Sequence, residues 1–226
     1  MNRRYDAILL DAGGVLVHPN WPMIAQLLPE LGLSPAAMEV AEHRVIAELD
    51  DADVIAATDD AARLDRFLRA VLLEGGAPPD RIDEGIAVIR EINREGRLWS
   101  FVPADVPGAL ERLQALGFGL AVVSNANGTV RERLRLLGLG RFFPIVVDSH
   151  EEKIEKPDPR VFLPALRALG VTPDRALYVG DLFHIDVLGA RAAGIDAVLL
   201  DHDDLRSHVD VPRIRSLSEL PAMLGS

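Results

Sequence analysis

The strongest constraint in this chain is a rhythm. Short runs rich in Val, Ile and Leu at 5–11 (Y-D-A-I-L-L-D), 118–124 (F-G-L-A-V-V-S), 144–148 (P-I-V-V-D) and 176–181 (A-L-Y-V-G-D) each close on a polar or glycine-bearing turn. Continuous apolar runs of this length read as buried strands. Amphipathic segments of helix length occupy 105–116, 127–138, 158–170 and 184–194, and a further strand-like A-V-L-L follows at 197–200. Such alternation predicts an α/β fold, a Rossmann-like parallel sheet with helices on both faces. Residues 18–100 break the rhythm: they hold helix-length stretches at 22–32, 35–49, 60–74 and 80–95, separated by L-G-L-S-P and G-G-A-P-P, with no convincing strand. The expected division is a core of 1–17 and 101–226 interrupted by an all-helical insertion, 18–100. The chain re-enters the core near V-P-A-D-V-P-G (102–108), where two prolines resist helix continuation.

Composition narrows the function. Among 226 residues, 24 basic against 35 acidic side chains give a net charge of −11, which argues against binding a nucleic-acid phosphate backbone. Without cysteine, disulfides, thiolate metal sites and cysteine nucleophiles are excluded. The amino-terminal stretch 1–11 pairs Arg3 and Arg4 with an apolar run, but Asp6 and Asp11 interrupt it and no small-residue cleavage pattern follows. No later stretch approaches the ~18 apolar residues that span a bilayer, so the expectation is a cytoplasmic protein with no membrane partner. The acidic clusters D-D-A-D (50–53) and D-H-D-D (201–204) lack the glycine and spacing of a calcium loop and read as solvated surface. Trp21 and Trp99, near the two ends of the insertion, read as hinge packing.

In an open parallel sheet, ligands bind beyond the carboxyl ends of the strands. Here those ends carry Asp11, Ser124 with Asn125, Asp148 or Ser149, and Asp181. Asp11 and Asp181 terminate runs so apolar that an unpartnered carboxylate would be costly, so a cation or a donor network is expected beside them. Magnesium answers both, since it suits one or two carboxylates, waters and a substrate phosphate. Gly13 and Gly14 after Asp11 let the backbone turn and present amides to an anion. Ser124 and Asn125 stand just before a helix, a second place where donors meet phosphate. Lys156, in E-K-P-D-P, is biased toward extended backbone by the proline after it, and Asp158 is placed to cap the next helix.

The order D-A-G-G-V-L, S-N (124–125), K-P-D-P (156–159) and G-D-L-F-H-I-D-V-L-G-A (180–190) resembles the haloacid dehalogenase-like hydrolase superfamily. V-P-G-A-L-E-R-L-Q-A-L-G (106–117) and G-A-R-A-A-G (189–194) also look like that family, and the insertion falls where the family places its small helical cap. The resemblance implies an aspartate nucleophile at Asp11, with Ser124 and Lys156 holding and neutralising the transferring phosphoryl group. It implies a magnesium ion held by Asp11, the backbone carbonyl of Gly13, Asp181 and Asp186, the last ligating or orienting a metal water.

One position departs from the pattern. Phosphatases of the family usually carry a second aspartate two residues after the nucleophile, as acid for the leaving oxygen and base for water; here Gly13 stands there. General acid–base help is typically 10²–10⁴-fold. His18 and His184 are the nearest candidate donors along the chain, with an ordinary surface or hinge role as the plainer reading of each. Lys153 stands where relatives often have glycine. The leading expectation is a magnesium-dependent hydrolase of a small phosphorylated metabolite, working through an aspartyl-phosphate. The alternatives are a metal-free 2-haloacid dehalogenase using the same aspartate, and a non-catalytic binding protein. The sequence sets neither the substrate nor the oligomeric state.

Overall fold

The computed structural model describes residues 3–58 and 60–225, and the side chain of residue 60 is left aside. Residues 1 and 2 of the amino-terminal stretch 1–11, and residues 59 and 226 of the two expected domains, lie outside the described residues. The chain divides into two compact units, one running to His18 and again from Val102, the other Pro19–Phe101.

In the first unit, six strands form one parallel sheet: β1 Ala7–Leu10, β2 Gly119–Ser124, β3 Ile145–Asp148, β4 Ala176–Gly180, β5 Asp196–Leu200 and β6 Arg213–Ile214. Their spatial order is β3-β2-β1-β4-β5-β6. Leu10 of β1 pairs with Val122 on one side and Val179 on the other. The strand order reverses between β1 and β4, and in an open α/β sheet a crevice opens at the carboxyl ends of the strands flanking such a point. Leu9, Val123, Tyr178 and Leu199 pack on one face with Phe162, Leu166, Val187 and Ala190. The intervening Ile8, Leu10, Val122, Val179 and Val198 are equally buried, so both faces are covered, as their unbroken apolar runs require.

The sequence missed β6 and the short carboxyl-terminal helix Leu220–Leu224, both too brief to leave a periodic signal. Expected helices are also shorter than read: 127–138 becomes Val130–Leu136, and 158–170 becomes a tight turn over Pro159–Phe162 followed by Leu163–Leu169.

The second unit holds helices Trp21–Leu27, Pro35–Leu49, Ala52–Ala56, Asp60–Glu74 and Ile82–Arg94, with one three-residue strand, Trp99–Phe101, that the sequence did not signal. Ile24, Met38, Val45, Leu68, Val71, Ile86 and Ile89 fill its own core. Asn20 opens the unit, its side chain accepting from the Met23 amide at 3.0 Å while its own N–H donates to the Leu98 carbonyl at 2.8 Å. Trp21 packs in this core and donates its indole N–H to the buried Glu42 carboxylate at 2.6 Å. No helix among the described residues is long and apolar enough to cross a membrane.

Candidate active site

Asp11 is the first residue beyond β1. Its N–H still donates to the Val179 carbonyl at 2.9 Å, so the strand register reaches the residue itself. One carboxylate oxygen accepts from the Ala12 amide at 2.7 Å, and the other lies 2.9 Å from Lys156 Nζ. Ser124, the last residue of β2, is buried beside it, and its hydroxyl works to lower the Asp11 carboxyl.

Three acceptors surround the Lys156 ammonium: Asp11 Oδ2 at 2.9 Å, Asp186 Oδ1 at 2.7 Å and the Tyr178 hydroxyl at 2.9 Å. Each of its three protons therefore has a partner. Tyr178 in turn donates to the Val123 carbonyl at 2.9 Å, tying the lysine to the next strand. Asn125 grips the lysine backbone from both sides, accepting from its N–H at 2.8 Å and donating to its carbonyl at 3.1 Å. The Lys156–Pro157 peptide is cis, and Asp158 accepts from the Arg160 amide at 2.9 Å as the capping argument expected.

Asp181 follows β4 directly. Asp186 rides on a wide turn over Phe183–Val187, in which the Leu182 carbonyl accepts from Asp186 N at 2.8 Å and from Val187 N at 3.3 Å. Single π-type turns of this kind recur at functional sites. The second oxygen of Asp186 accepts from the Leu182 amide at 2.9 Å. Two glycines make room for these acids. Gly14, at φ +69°, lies where a Cβ would run into the Asp181 carboxylate, and a Cβ at Gly180 would run into Asp186.

Ligand oxygens of Asp11, Asp181 and Asp186 all lie within 4.8 Å of one another, and all three residues are buried. At that distance, two ionised carboxylates repel by roughly 3 kcal/mol at an effective dielectric near ~20. Burial, reinforced by Asp186 and opposed by Lys156, pushes the Asp11 carboxyl up to about 6. Burial and the two neighbouring acids hold Asp181 well above the ordinary carboxylate range, against the pull of Arg206 and Lys156. For Lys156, burial works to lower the ammonium, but Asp11 and Asp186 overcome it and leave it raised. Three carboxylates thus crowd together while the ammonium of Lys156 touches only two of them, Asp11 and Asp186, and a hard divalent cation suits such an oxygen donor set.

The structure therefore brings Asp11, Ser124, Lys156, Asp181 and Asp186 together at one edge of the sheet. Gly13 and Gly14 form the turn beside them. The Gly14 amide, offered by the sequence as an anion donor, is taken by the Val17 carbonyl at 2.9 Å. Asn125, offered as a substrate donor, has its side-chain amide committed to Lys156. His18 is buried edge-on against His202 with ring centroids 5.4 Å apart, and His184 is half-buried against Phe183 at 5.2 Å. Lys153 adopts φ +58°, a conformation that suits glycine, in keeping with its place in the motif.

One expectation is corrected. Asp201, read as part of a solvated acidic cluster, is only 2% exposed and holds the equally hidden Arg206; Asp50 of the other cluster is buried too, while residues 51–53 are exposed. Sequence reasoning also missed Tyr178. A signal was present there, since a phenol inside a fully buried strand needs a hydrogen-bond partner. Arg206 gave none, because nothing in D-D-L-R-S-H marks an arginine whose partners come from distant strand ends.

A family model described as haloacid dehalogenase-like hydrolase matches residues 5–194. The chain belongs to that family of hydrolases. It is 38% identical over 138 residues to the phosphoserine phosphatase of Thermus thermophilus, a match covering 61% of this chain and 54% of that protein. The chain thus spans about half the length of that curated relative. Among solved structures, it is similar to an HAD phosphatase from Thermococcus onnurineus, at 26% identity, TM-score 0.62, and coverage of 97% of this chain and 98% of the other. A 2-haloacid dehalogenase from Pseudomonas syringae pv. Tomato is similar to the same degree, at 26% identity, TM-score 0.61 and 98% coverage of both chains.

Proposed function

We propose that this protein is a magnesium-dependent hydrolase that removes phosphate from a small phosphorylated metabolite. The observation that carries the reading is the meeting of Asp11, Asp181 and Asp186 within 4.8 Å beside Lys156. The family and a phosphatase relative at 38% identity support it. Asp11 and Asp181, with the Gly13 carbonyl, would hold the cation. Asp186 already engages Lys156, Tyr178 and the Leu182 amide, so it fits the orienting role better than direct ligation. Bound there, magnesium supplies charge neutralisation for a dianionic phosphoryl group.

The chain's own residues do the rest. Asp11, aimed by the Ala12 amide and Lys156, forms the new bond to phosphorus while the substrate's P–O bond breaks and its electron pair leaves with the departing oxygen. Ser124 and Lys156 would hold the phosphoryl oxygens, the lysine turning one proton from its present acceptors toward them as negative charge develops there. Water then attacks the phosphorus of the Asp11 ester, giving inorganic phosphate and returning the carboxylate. Gly13 brings no carboxyl to protonate the leaving oxygen, which favours groups that depart readily as anions, such as those of acyl phosphates or anomeric sugar phosphates.

Gly13 favours a second reading as well. A 2-haloacid dehalogenase needs no leaving-group acid, because halide departs unaided, and it would use the same Asp11 without metal. A screen of phosphorylated metabolites and short 2-haloacids, each with magnesium and with EDTA, separates the readings. Magnesium-dependent phosphate release is the expected result. Chloride release in EDTA with no phosphate release overturns it, and magnesium binding with no turnover on any compound points to a non-catalytic binding protein.

A further inference from the structure

Arg206 lies past residue 194, where the family match ends, yet its side chain reaches the site. Its guanidinium donates to the backbone carbonyl of Asp181, and to the Leu200 carbonyl at 3.0 Å. Gly180 pairs with Leu199 in the last register of β4 and β5, so Asp181 and Leu200 are the next residues in line. The arginine thus ties the two strands at their carboxyl ends. Buried carbonyls must find donors, and these two find the same one.

Asp201 aligns the guanidinium. Its carboxylate accepts from Arg206 Nε at 3.4 Å, from the Arg206 amide at 2.9 Å and from the Leu205 amide at 3.2 Å, while Arg213 lies 3.8 Å away. Asp201 is itself fixed, its N–H donating to the Ile214 carbonyl of β6 at 2.9 Å. Arg206 is 5% exposed. A staple for the 201–206 loop would need only the local partners; the bond to Asp181 joins it to a residue 25 positions away.

We propose that Arg206, aligned by Asp201, is a positioning residue for Asp181, fixing where that carboxylate stands relative to Asp11 and Asp186. The inference rests on the metal reading above. Partners outside the ligand sphere typically govern metal affinity by 10–100-fold.

The test is magnesium titration by calorimetry on the full chain without substrate, for the parent, Arg206→Lys, Arg206→Met and Asp201→Asn, with a melting curve for each. Arg206→Met is expected to weaken magnesium binding roughly 10–100-fold. Asp201→Asn is expected to shift it the same way by less, and Arg206→Lys to recover part of the loss. Phosphate release by the variants should return toward the parent rate as magnesium is raised, with substrate KM unchanged. A loop staple alone lowers the melting temperature and leaves magnesium affinity where it was. Any folded variant of Arg206 or Asp201 that binds magnesium like the parent, Arg206→Lys excepted, overturns the proposal; Asp201→Asn keeps the test open should Arg206→Met not fold. If the parent itself fails to bind magnesium, both this inference and the metal reading fall.

Discussion

Lys156 Nζ and Asp186 Oδ1 stand 2.7 Å apart with both side chains sealed from solvent. Asp11 sits on the same ammonium at 2.9 Å. Removing the ammonium leaves two carboxylates facing each other uncompensated, and breaking a buried pair from one side costs about 3–5 kcal/mol. Lys156→Met is expected to lose that much stability in metal-free protein, read by urea denaturation. Tyr178→Phe, which takes one acceptor from the ammonium and the hydroxyl donor from the Val123 carbonyl, should lose about 1–3 kcal/mol. A Lys156→Met protein as stable as its parent would show that the pair holds nothing.

Asp11→Asn keeps the shape of the side chain and the hydrogen bond from Ala12 but removes the carboxylate that we propose attacks phosphorus. Phosphate release should fall at least ~10³-fold with an unchanged circular dichroism spectrum. Full turnover by this variant would move the nucleophile elsewhere.

The Asp11 carboxyl, raised by burial to about 6 from an ordinary 3.8, fixes the sign of a pH effect. In metal-free protein, the stability it contributes is complete below about pH 3.8 and is lost as pH rises through about 6, roughly 3 kcal/mol in all, because the folded state holds the proton more tightly than the unfolded chain. A cation needs the ionised form. Magnesium is therefore expected to bind about tenfold more tightly at pH 7 than at pH 5 and to raise the melting temperature more at the higher pH. Equal stabilisation at both would contradict the assignment.

Gly13→Asp restores a carboxyl where the family pattern has one. Rates on alkyl phosphates, whose leaving groups need a proton, are expected to rise by at least ~10-fold, while acyl phosphates change little. Unchanged alkyl rates would mean that another donor already acts.

Much of this arrangement was legible before any coordinate. The strand ends Asp11, Ser124 and Asp181 announce themselves because an apolar run that halts on a polar residue marks the sheet's carboxyl edge, and the parallel fold gathers those edges. Lys156 and Asp186 were legible only through motif order, since neither ends a strand. Tyr178 was visible as a phenol in a buried run and was passed over as mere core. Arg206 and Asp201 could not be read, because their burial is created by strand ends at 181 and 200 and by β6, whose two residues carry no periodicity.

The place of β1 has a consequence for how the chain comes to exist. The strand that delivers Asp11 precedes the other five strands of its sheet along the chain, and its neighbours begin only at Gly119 and Ala176. Until those segments emerge, the strand has no ladder on either edge, and the helical unit between can assemble its own interior meanwhile. Pairings this remote make closure of the sheet a late and slow event. Asp11 is thus held in place only once segments far downstream, at Gly119 and Ala176, have closed the ladder on both sides of its strand.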